Sequence, residues 1–367
     1  MKIVVQLVRI VVGILFIFSG LVKANDPAGL GYKMHEFFEA WGMQFLNSYA
    51  LTFSVLMIAF EIIAGVALLI GWYTKLTIKL LLLLIIFFTF LTGYAWLSGK
   101  FKSCGCFGDC IPIKSNQSFY KDLILLTLIV FLLFFQKYLK PIFTKKLQIV
   151  VMLLAIVGSF FIQKYTLDHL PFKDCLSFKI GNNILQQKKY KADSVVNIYT
   201  YYKDGKAYLV TAPNYPQWML DGDTTYIADE TKTKTITITE GNKADMVRDF
   251  SLTTATGTDT TEALLSTPKS IYLFIVTELN MANNEWDKKF ETFAKNEIKK
   301  DSNSVYIVTN KATEARQYFN KFALGNALPV LFCDEKPLLA AARTRPTIMK
   351  ITNGTIVQKY TWKDIGN

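Results

Sequence analysis

Hydrophobic positions crowd the first 166 residues of the chain and then thin out abruptly. Five nearly unbroken apolar runs, at roughly 3–22, 49–72, 76–97, 119–139 and 147–165, each reach the ~20 residues a helix needs to cross a bilayer. Lys2 precedes the first run as in a signal peptide, but Ser-Gly-Leu-Val-Lys follows it at 19–23 where a small-x-small cleavage site would stand. The first run is therefore read as a retained helix. Beyond 166 the chain is rich in Thr, Lys, Asp and Asn, as a water-soluble domain is.

Shorter patterns fill in both halves. Between the first two runs, Met34, Phe37, Phe38 and Trp41 recur at helical spacing with Lys33, Glu36 and Glu39 around them, which predicts a short helix lying on the membrane surface. In the soluble half, residues 194–211 alternate around Asp204-Gly205, a hairpin signature, and more strand follows at 224–240. From 249 the expected order is strand 270–277, helix 283–299, strand 304–309, helix 312–322, strand 328–333, and strands 347–352 and 355–360 around Asn353-Gly354. Such a mixture predicts an α/β or α+β domain with a central sheet, preceded by a β-rich extension.

Charge then orients the membrane half. Lys75 and Lys79, and Lys137, Lys140, Lys145 and Lys146, fall in the second and fourth connections, and short loops rich in lysine stay in the cytoplasm. The amino terminus is then cytoplasmic, and residues 23–48, 98–118 and everything after 166 lie on the opposite, periplasmic side of a bacterial inner membrane. Lys100, Lys102 and Lys114 in the third connection weaken that bias without reversing it. The net charge of +12 comes with no nucleic-acid motif or basic helix, so nucleic acid is not an expected partner; membrane lipid is.

The cysteines carry the candidate chemistry. Cys104, Cys106 and Cys110 stand within Ser-Cys-Gly-Cys-Phe-Gly-Asp-Cys, between the third and fourth runs, and Cys175 follows the fifth run by about ten residues. All four fall on the outward side, where disulfides persist. Three uses stay open: a thiol-disulfide relay with Cys175 as exchange partner, a structural staple with a spare thiol, and a zinc-type site completed by Cys175 or His169. The last departs from the usual zinc spacings, and no metal is assigned. Cys333 ends the apolar run Leu-Pro-Val-Leu-Phe-Cys and is expected to be a buried core thiol.

The first two membrane runs each hold one charged residue, Arg9 and Glu61. Glu61 sits mid-span, where a carboxylate must be paired or protonated, and counting residues from the inner ends puts Arg9 within reach of it. Either a proton or quinone site or a plain ion pair locking two helices would use that pair. His35, on the surface helix, is read as solvated at the rim rather than as a proton shuttle.

Arg9 with Phe-Ser-Gly-Leu-Val-Lys23, Glu61 with Gly65 and Gly71, and Cys-Gly-Cys-Phe-Gly at 104–108 resemble the DoxX-like superfamily, in particular its methylamine-utilisation MauE branch. The resemblance spans about residues 1–140. It implies a four-helix membrane bundle similar in layout to the DsbB and vitamin K epoxide reductase types, with a role in maturing disulfide-rich periplasmic proteins or in quinone-linked thiol chemistry. Cys110 and the fifth span extend beyond that pattern. In the soluble half, Asp249-Phe-Ser-Leu and Arg345-Pro346-Thr347 resemble the first strand and the cis-proline turn of membrane-anchored thioredoxin-like domains. Where such domains carry Cys-x-x-Cys, this chain has Thr277-Glu-Leu-Asn-Met-Ala-Asn-Asn. The combination resembles envelope proteins of Bacteroidota.

The expected organisation is a four-helix domain at 1–140, a fifth transmembrane helix at 141–166, a β-rich extension at 167–248 and a thioredoxin-like domain without Cys-x-x-Cys at 249–367. The expected function is support of periplasmic thiol-disulfide chemistry through Cys104, Cys106, Cys110 and Cys175, with quinone as the candidate cofactor and a periplasmic client as the candidate partner. The alternative is a non-enzymatic scaffold in which the loop disulfide is structural and the soluble domain docks a partner.

Overall fold

A computed structural model gives the architecture for residues 1–98, 105, 108, 110, 111, 113–189, 194–211, 214–239, 247, 249–322, 324 and 328–365. The membrane half contains α1 (Lys2–Ala24), α2 (Pro27–Ala40), α3 (Ala50–Ile70), α4 (Thr74–Ser98), α5 (Ser115–Phe134) and α6 (Lys145–Asp168). Among the described residues five helices are long and apolar enough to span a membrane: α1, α3 with the 3₁₀ turn before it, α4, α5 and α6. The fourth begins four residues earlier than its apolar run, because the polar Ser115, Asn116, Gln117 and Ser118 form its first turn. Along α6, Leu153, Leu154, Val157 and Phe161 face outward, as lipid-facing side chains do.

Lipid tails are as apolar as leucine, so helices in a membrane associate through close packing rather than through burial. The tightest approach joins α1 to α3, which run antiparallel. A Cβ on Gly65 would sit 2.9 Å from the Gly13 carbonyl oxygen, and one on Gly13 3.2 Å from the Gly65 oxygen. That contact fixes the register of the two helices, and the register corrects the expected Arg9–Glu61 pair. Arg9 is level with the carboxyl end of α3, where its guanidinium donates to the carbonyls of Leu68 (2.8 Å) and Leu69 (2.7 Å) and to Lys140 O (3.0 Å). Glu61 lies seven residues further along α3, about 10 Å away. Counting from the ends of the apolar runs misplaced the pair because the first turns of α1 project beyond the end of α3.

Helix α2 also differs from expectation. It starts at Pro27 with Asp26 as its cap, whose carboxylate accepts from Gly29 N at 3.0 Å. Met34, Phe37 and Phe38 are buried in the bundle core rather than dipped into lipid.

The soluble half holds α7 (Ile184–Lys188), β1 (Ser194–Lys203), β2 (Lys206–Thr211), α8 (Gln217–Leu220), β3 (Ile227–Thr239), α9 (Thr261–Leu265), β4 (Ser270–Ile275), α10 (Asp287–Lys300), β5 (Val305–Thr309), α11 (Ala312–Phe319), β6 (Val330–Phe332), α12 (Glu335–Ala341), β7 (Thr347–Thr352) and β8 (Thr355–Thr361). The hairpin at Asp204-Gly205 forms with both residues at positive φ, 51° and 73°, and β3 completes an antiparallel sheet of order β2-β1-β3.

The second sheet has order β6-β5-β4-β7-β8, with β4, β5 and β6 parallel and β7 and β8 antiparallel to their neighbours. One face packs Phe274 against Trp286, Phe290 and Phe319; the other packs Ile271, Leu273 and Ile275 against Phe250, Leu252 and Cys333. Asp249-Phe-Ser-Leu is not a strand: only Thr253, just after it, forms single bridges, with Phe332 and Asp259. Helix α12 was not expected, since Pro337 masks it; proline is tolerated in a first turn. The Arg345–Pro346 bond is cis.

Two outcomes follow. Gly71 closes α3 at φ +76°, and a Cβ there would lie 2.8 Å from Arg9 Nη2 and 2.9 Å from Pro141 Cα. Gly71→Ala is expected to cost about 1–3 kcal/mol, seen as a lower unfolding midpoint in detergent micelles. Cys333 is fully buried, and burial pushes its thiol up to about 12. The native state keeps a proton that the unfolded chain releases above about pH 8.5. The stability this group contributes is therefore whole below that pH and declines as pH rises toward about 12. At pH 8, iodoacetamide is expected to reach Cys333 only after denaturation.

Candidate functional site

The carboxyl ends of α1 and α6 meet, and two of the candidate thiols, Cys110 and Cys175, join beside that junction. Thr166 on α6 donates to Ala24 O, the last residue of α1, at 2.9 Å. The next residue, Asn25, grips the chain beyond α6 in both directions: its amide donates to Lys173 O at 2.9 Å and its oxygen accepts from Lys173 N at 3.1 Å. Two residues on, Cys175 is bonded to Cys110, with Cα atoms 4.9 Å apart and a sequence separation of 65. Asn25 Nδ2 lies 3.9 Å from Cys110 Sγ. Both cysteines are half-buried, so water and other thiols can reach the bond.

Of the predicted thiols, the structure thus joins Cys110 to Cys175, while Cys104 and Cys106 lie outside the described residues. Gly105, between them, has φ +68°, and a Cβ there would lie 3.2 Å from Lys33 Cγ on α2. Gly108, at φ +58°, stands over Val22 at the end of α1. Gly105 and Gly108 therefore sit beside α2 and α1, on the same side as the soluble domain.

Ion pairs hold that domain in place. Asp26 pairs with Arg343 Nε at 2.9 Å, both side chains largely buried, and the Arg343 guanidinium lies 5.2 Å from the centre of the Tyr32 ring. Burial raises the Tyr32 hydroxyl above its ordinary range. Lys359, almost fully buried, reaches Asp174 at 2.7 Å and Phe178 O at 3.2 Å; burial lowers its ammonium below its ordinary range. His169, a candidate zinc ligand, instead stacks on Tyr165 and sets Nδ1 3.2 Å from Asp364. His35 lies 3.7 Å from Glu39 at the rim.

The second predicted feature, Glu61, has a different partner from the one expected. Lys23, from the Ser-Gly-Leu-Val-Lys end of α1, forms a buried ion pair with Glu61 Oε1, and its ammonium lies 4.6 Å from the centre of the Phe88 ring. Both side chains are essentially inaccessible. Glu61 Oε2 is buried with no hydrogen-bond partner. Beside the pair opens a cavity of about 480 Å³ walled by Leu15, Phe16, Phe88 and Leu125, with Gln117 and Lys121 at its edge. Lys121 in turn pairs with buried Asp122 at 2.9 Å, and Asp122 accepts from Thr92 at 3.1 Å. Sequence reasoning passed over Lys23, Lys121 and Asp122, because all three stand in the outward turns of their spans and look like interfacial charges. The Gly13/Gly65 approach was the available signal: it sets the register that brings residue 23 to residue 61.

Residues 1–135 match the family described as Methylamine utilisation protein MauE. Protein TlpB of Flavobacterium psychrophilum is 32% identical over 130 residues, which is 35% of this chain and 35% of that protein. The match thus spans about a third of the length of this curated relative. No solved structure matches the chain. The first 135 residues are a MauE-like multi-pass membrane domain, followed by a sheet-containing region.

Proposed function

We propose that the protein is a membrane thiol-disulfide oxidoreductase of the bacterial inner membrane whose periplasmic face carries Cys104, Cys106, Cys110 and Cys175 as one exchanging set. The observation that supports this most is the Cys110–Cys175 bond, which links the thiol-rich loop to the start of the soluble half. In the proposed chemistry a thiolate of Cys104 or Cys106 attacks Cys110 Sγ, releases Cys175 as a thiolate and forms a loop disulfide. The other loop thiolate then displaces Cys110, leaving a Cys104–Cys106 disulfide and two reduced thiols. A client dithiol reverses the loop to its reduced form and leaves as a disulfide, so one electron pair and two protons move inward per client bond. The soluble half, read as thioredoxin-like without its own dithiol, serves as client holder rather than as redox centre.

The electron pair needs an acceptor, and the cavity beside Lys23 and Glu61 fits a quinone. Its walls are apolar, Lys23 supplies a donor, and Glu61 Oε2 is a buried oxygen without a partner. A quinone bound there would take two electrons and two protons. Lys23 and Glu61 would orient its polar edge and hold a proton at the carboxylate, while Phe88 and Leu125 exclude water.

A scaffold with a structural staple is supported by the Asn25–Lys173 grip, which holds the same junction without sulfur chemistry. Alkylation with a mass tag separates the two. In the relay, dithiothreitol and a mild oxidant shift all four outward cysteines between states together, and Cys104→Ala with Cys106→Ala slows reduction of Cys110–Cys175 by a dithiol peptide at least tenfold. If Cys110–Cys175 stays oxidised throughout and the double variant behaves as the native protein, the staple stands. Glu61→Gln is expected to lower quinone reduction by about tenfold while leaving exchange with dithiothreitol unchanged, measured on protein in nanodiscs.

A further inference from the structure

Lys23 borders a second space besides the cavity that it shares with Glu61. This is a gap of about 10 Å³, the room that one water molecule takes. Lys23 and Lys33 are the polar side chains of its wall, and Leu30, Met34, Phe37, Phe88 and Leu91 make the rest of it apolar. Lys33 also lines a cleft of about 800 Å³ between α2 and the soluble half, where Tyr32, Lys33 and Glu36 face Thr277, Asn310 and Arg345. Within that cleft Lys33 pairs with Glu36 at 2.9 Å, and both side chains are partly exposed. A line of polar groups thus runs from the buried carboxylate to the cleft: Glu61, Lys23, a gap of one water, Lys33 and Glu36.

The cleft suits the mouth of such a line. Its carboxylates are Glu36 and Glu39 of α2 and Asp249, Glu278, Asp334 and Glu335 of the soluble half. Its permanent cations are fewer, Lys33, Lys336, Arg343 and Arg345, and His35 lies 3.7 Å from Glu39. A cleft with an excess of one sign raises the local concentration of the opposite ion, here hydronium. The other way out is less suited. Gln117 and Lys121 stand at the edge of the larger cavity, but Lys121 is held by buried Asp122 and the walls are Leu15, Phe16 and Leu125. A ligand seated in that cavity also closes this exit and leaves the gap beside Lys33 open.

Ionisable side chains inside a membrane commonly mark proton relays. We propose that Lys33 relays protons between the interdomain cleft and Glu61. Lys23 gives a proton to Glu61 and takes one from the water in the gap; that water takes one from Lys33, which recovers its own from the cleft through Glu36. The net change is one proton moved from the cleft to the carboxylate, with no electron transferred and no other bond altered. The use made of that proton rests on the quinone site proposed above, whereas the route itself needs no quinone.

The test uses the full chain in nanodiscs free of quinone, a photolysed acid that releases protons, and time-resolved infrared spectroscopy of the carboxylic C=O band, assigned by its absence in Glu61→Gln. Lys33→Met is expected to slow the rise of that band about tenfold. Lys33→Arg keeps the charge but does not release its proton, so it is expected to be as slow, whereas Lys33→His titrates near neutrality and is expected to recover most of the native rate. These two variants separate a proton relay from a packing role, which arginine would serve better than histidine. A native rate in Lys33→Arg, equal slowing by Lys121→Met, or no Glu61 band on acidification overturns the proposal. Quinone reduction is then measured on the same samples. The expected infrared pattern in a protein that reduces no quinone leaves the route standing and removes the quinone reading.

Discussion

The close approach of α1 to α3 at Gly13 and Gly65 sets the position of every functional group in the membrane half. With only hydrogen atoms facing each other the two backbones lock in one register, since a slide of either helix drives a larger side chain into a carbonyl. At the amino end of α1 that register puts Arg9 on the last carbonyls of α3. At its carboxyl end it puts Lys23 on Glu61. It also fixes where Asn25 and Asp26 emerge, and these hold the soluble half, one through Lys173 and the other through Arg343. The disulfide stands two residues beyond the first of those grips. A contact between two glycines inside the membrane is thus transmitted, residue by residue, to the thiols outside it.

The two buried cations at opposite ends of α1 differ in kind. Arg9 donates to carbonyls at a helix end, and its five donors suit that task. Lys23 and Glu61 leave one carboxylate oxygen unmet beside a cavity. A pair kept only to join helices gains most when all its lone pairs are satisfied, since breaking water contacts is costly at that depth. The unmet oxygen beside the cavity distinguishes Glu61 from Arg9, and it is why the proposed quinone site is placed at Lys23 and Glu61.

Much of this was legible in the sequence, and the failures have physical causes. Apolar runs and the Asp204-Gly205 turn predict their elements because each is a local property, set by period or by backbone conformation. The Arg9–Glu61 pairing failed because depth was counted from where hydrophobicity begins, whereas helix register is decided where small residues meet. Helix α2 was read as interfacial since its apolar face points somewhere; only tertiary structure shows that it points into the bundle. The bond between Cys110 and Cys175 was one of several open pairings, because spacing does not determine which thiols meet. The cleft had no sequence signal: its walls come from residues around 32, 277, 310 and 345, none of them remarkable alone.

Thr277 shows why a missing motif is informative in this chain. The strand before it, β4, is central to the sheet and fully formed, and the turn containing the cis bond stands in the same cleft at Arg345. A domain that had simply decayed would be free to fill the space at those strand ends with apolar side chains, which would gain burial and remove unmet acceptors. Instead the space is open, lined by Thr277 and Asn310, and faces Tyr32, Lys33 and Glu36 of α2. Keeping buried acceptors unpaired costs stability, and that cost is offset when a ligand supplies the donors. The division of tasks proposed above, holding in the soluble half and thiol exchange at the membrane surface, rests on that open space and on the Cys110–Cys175 bond.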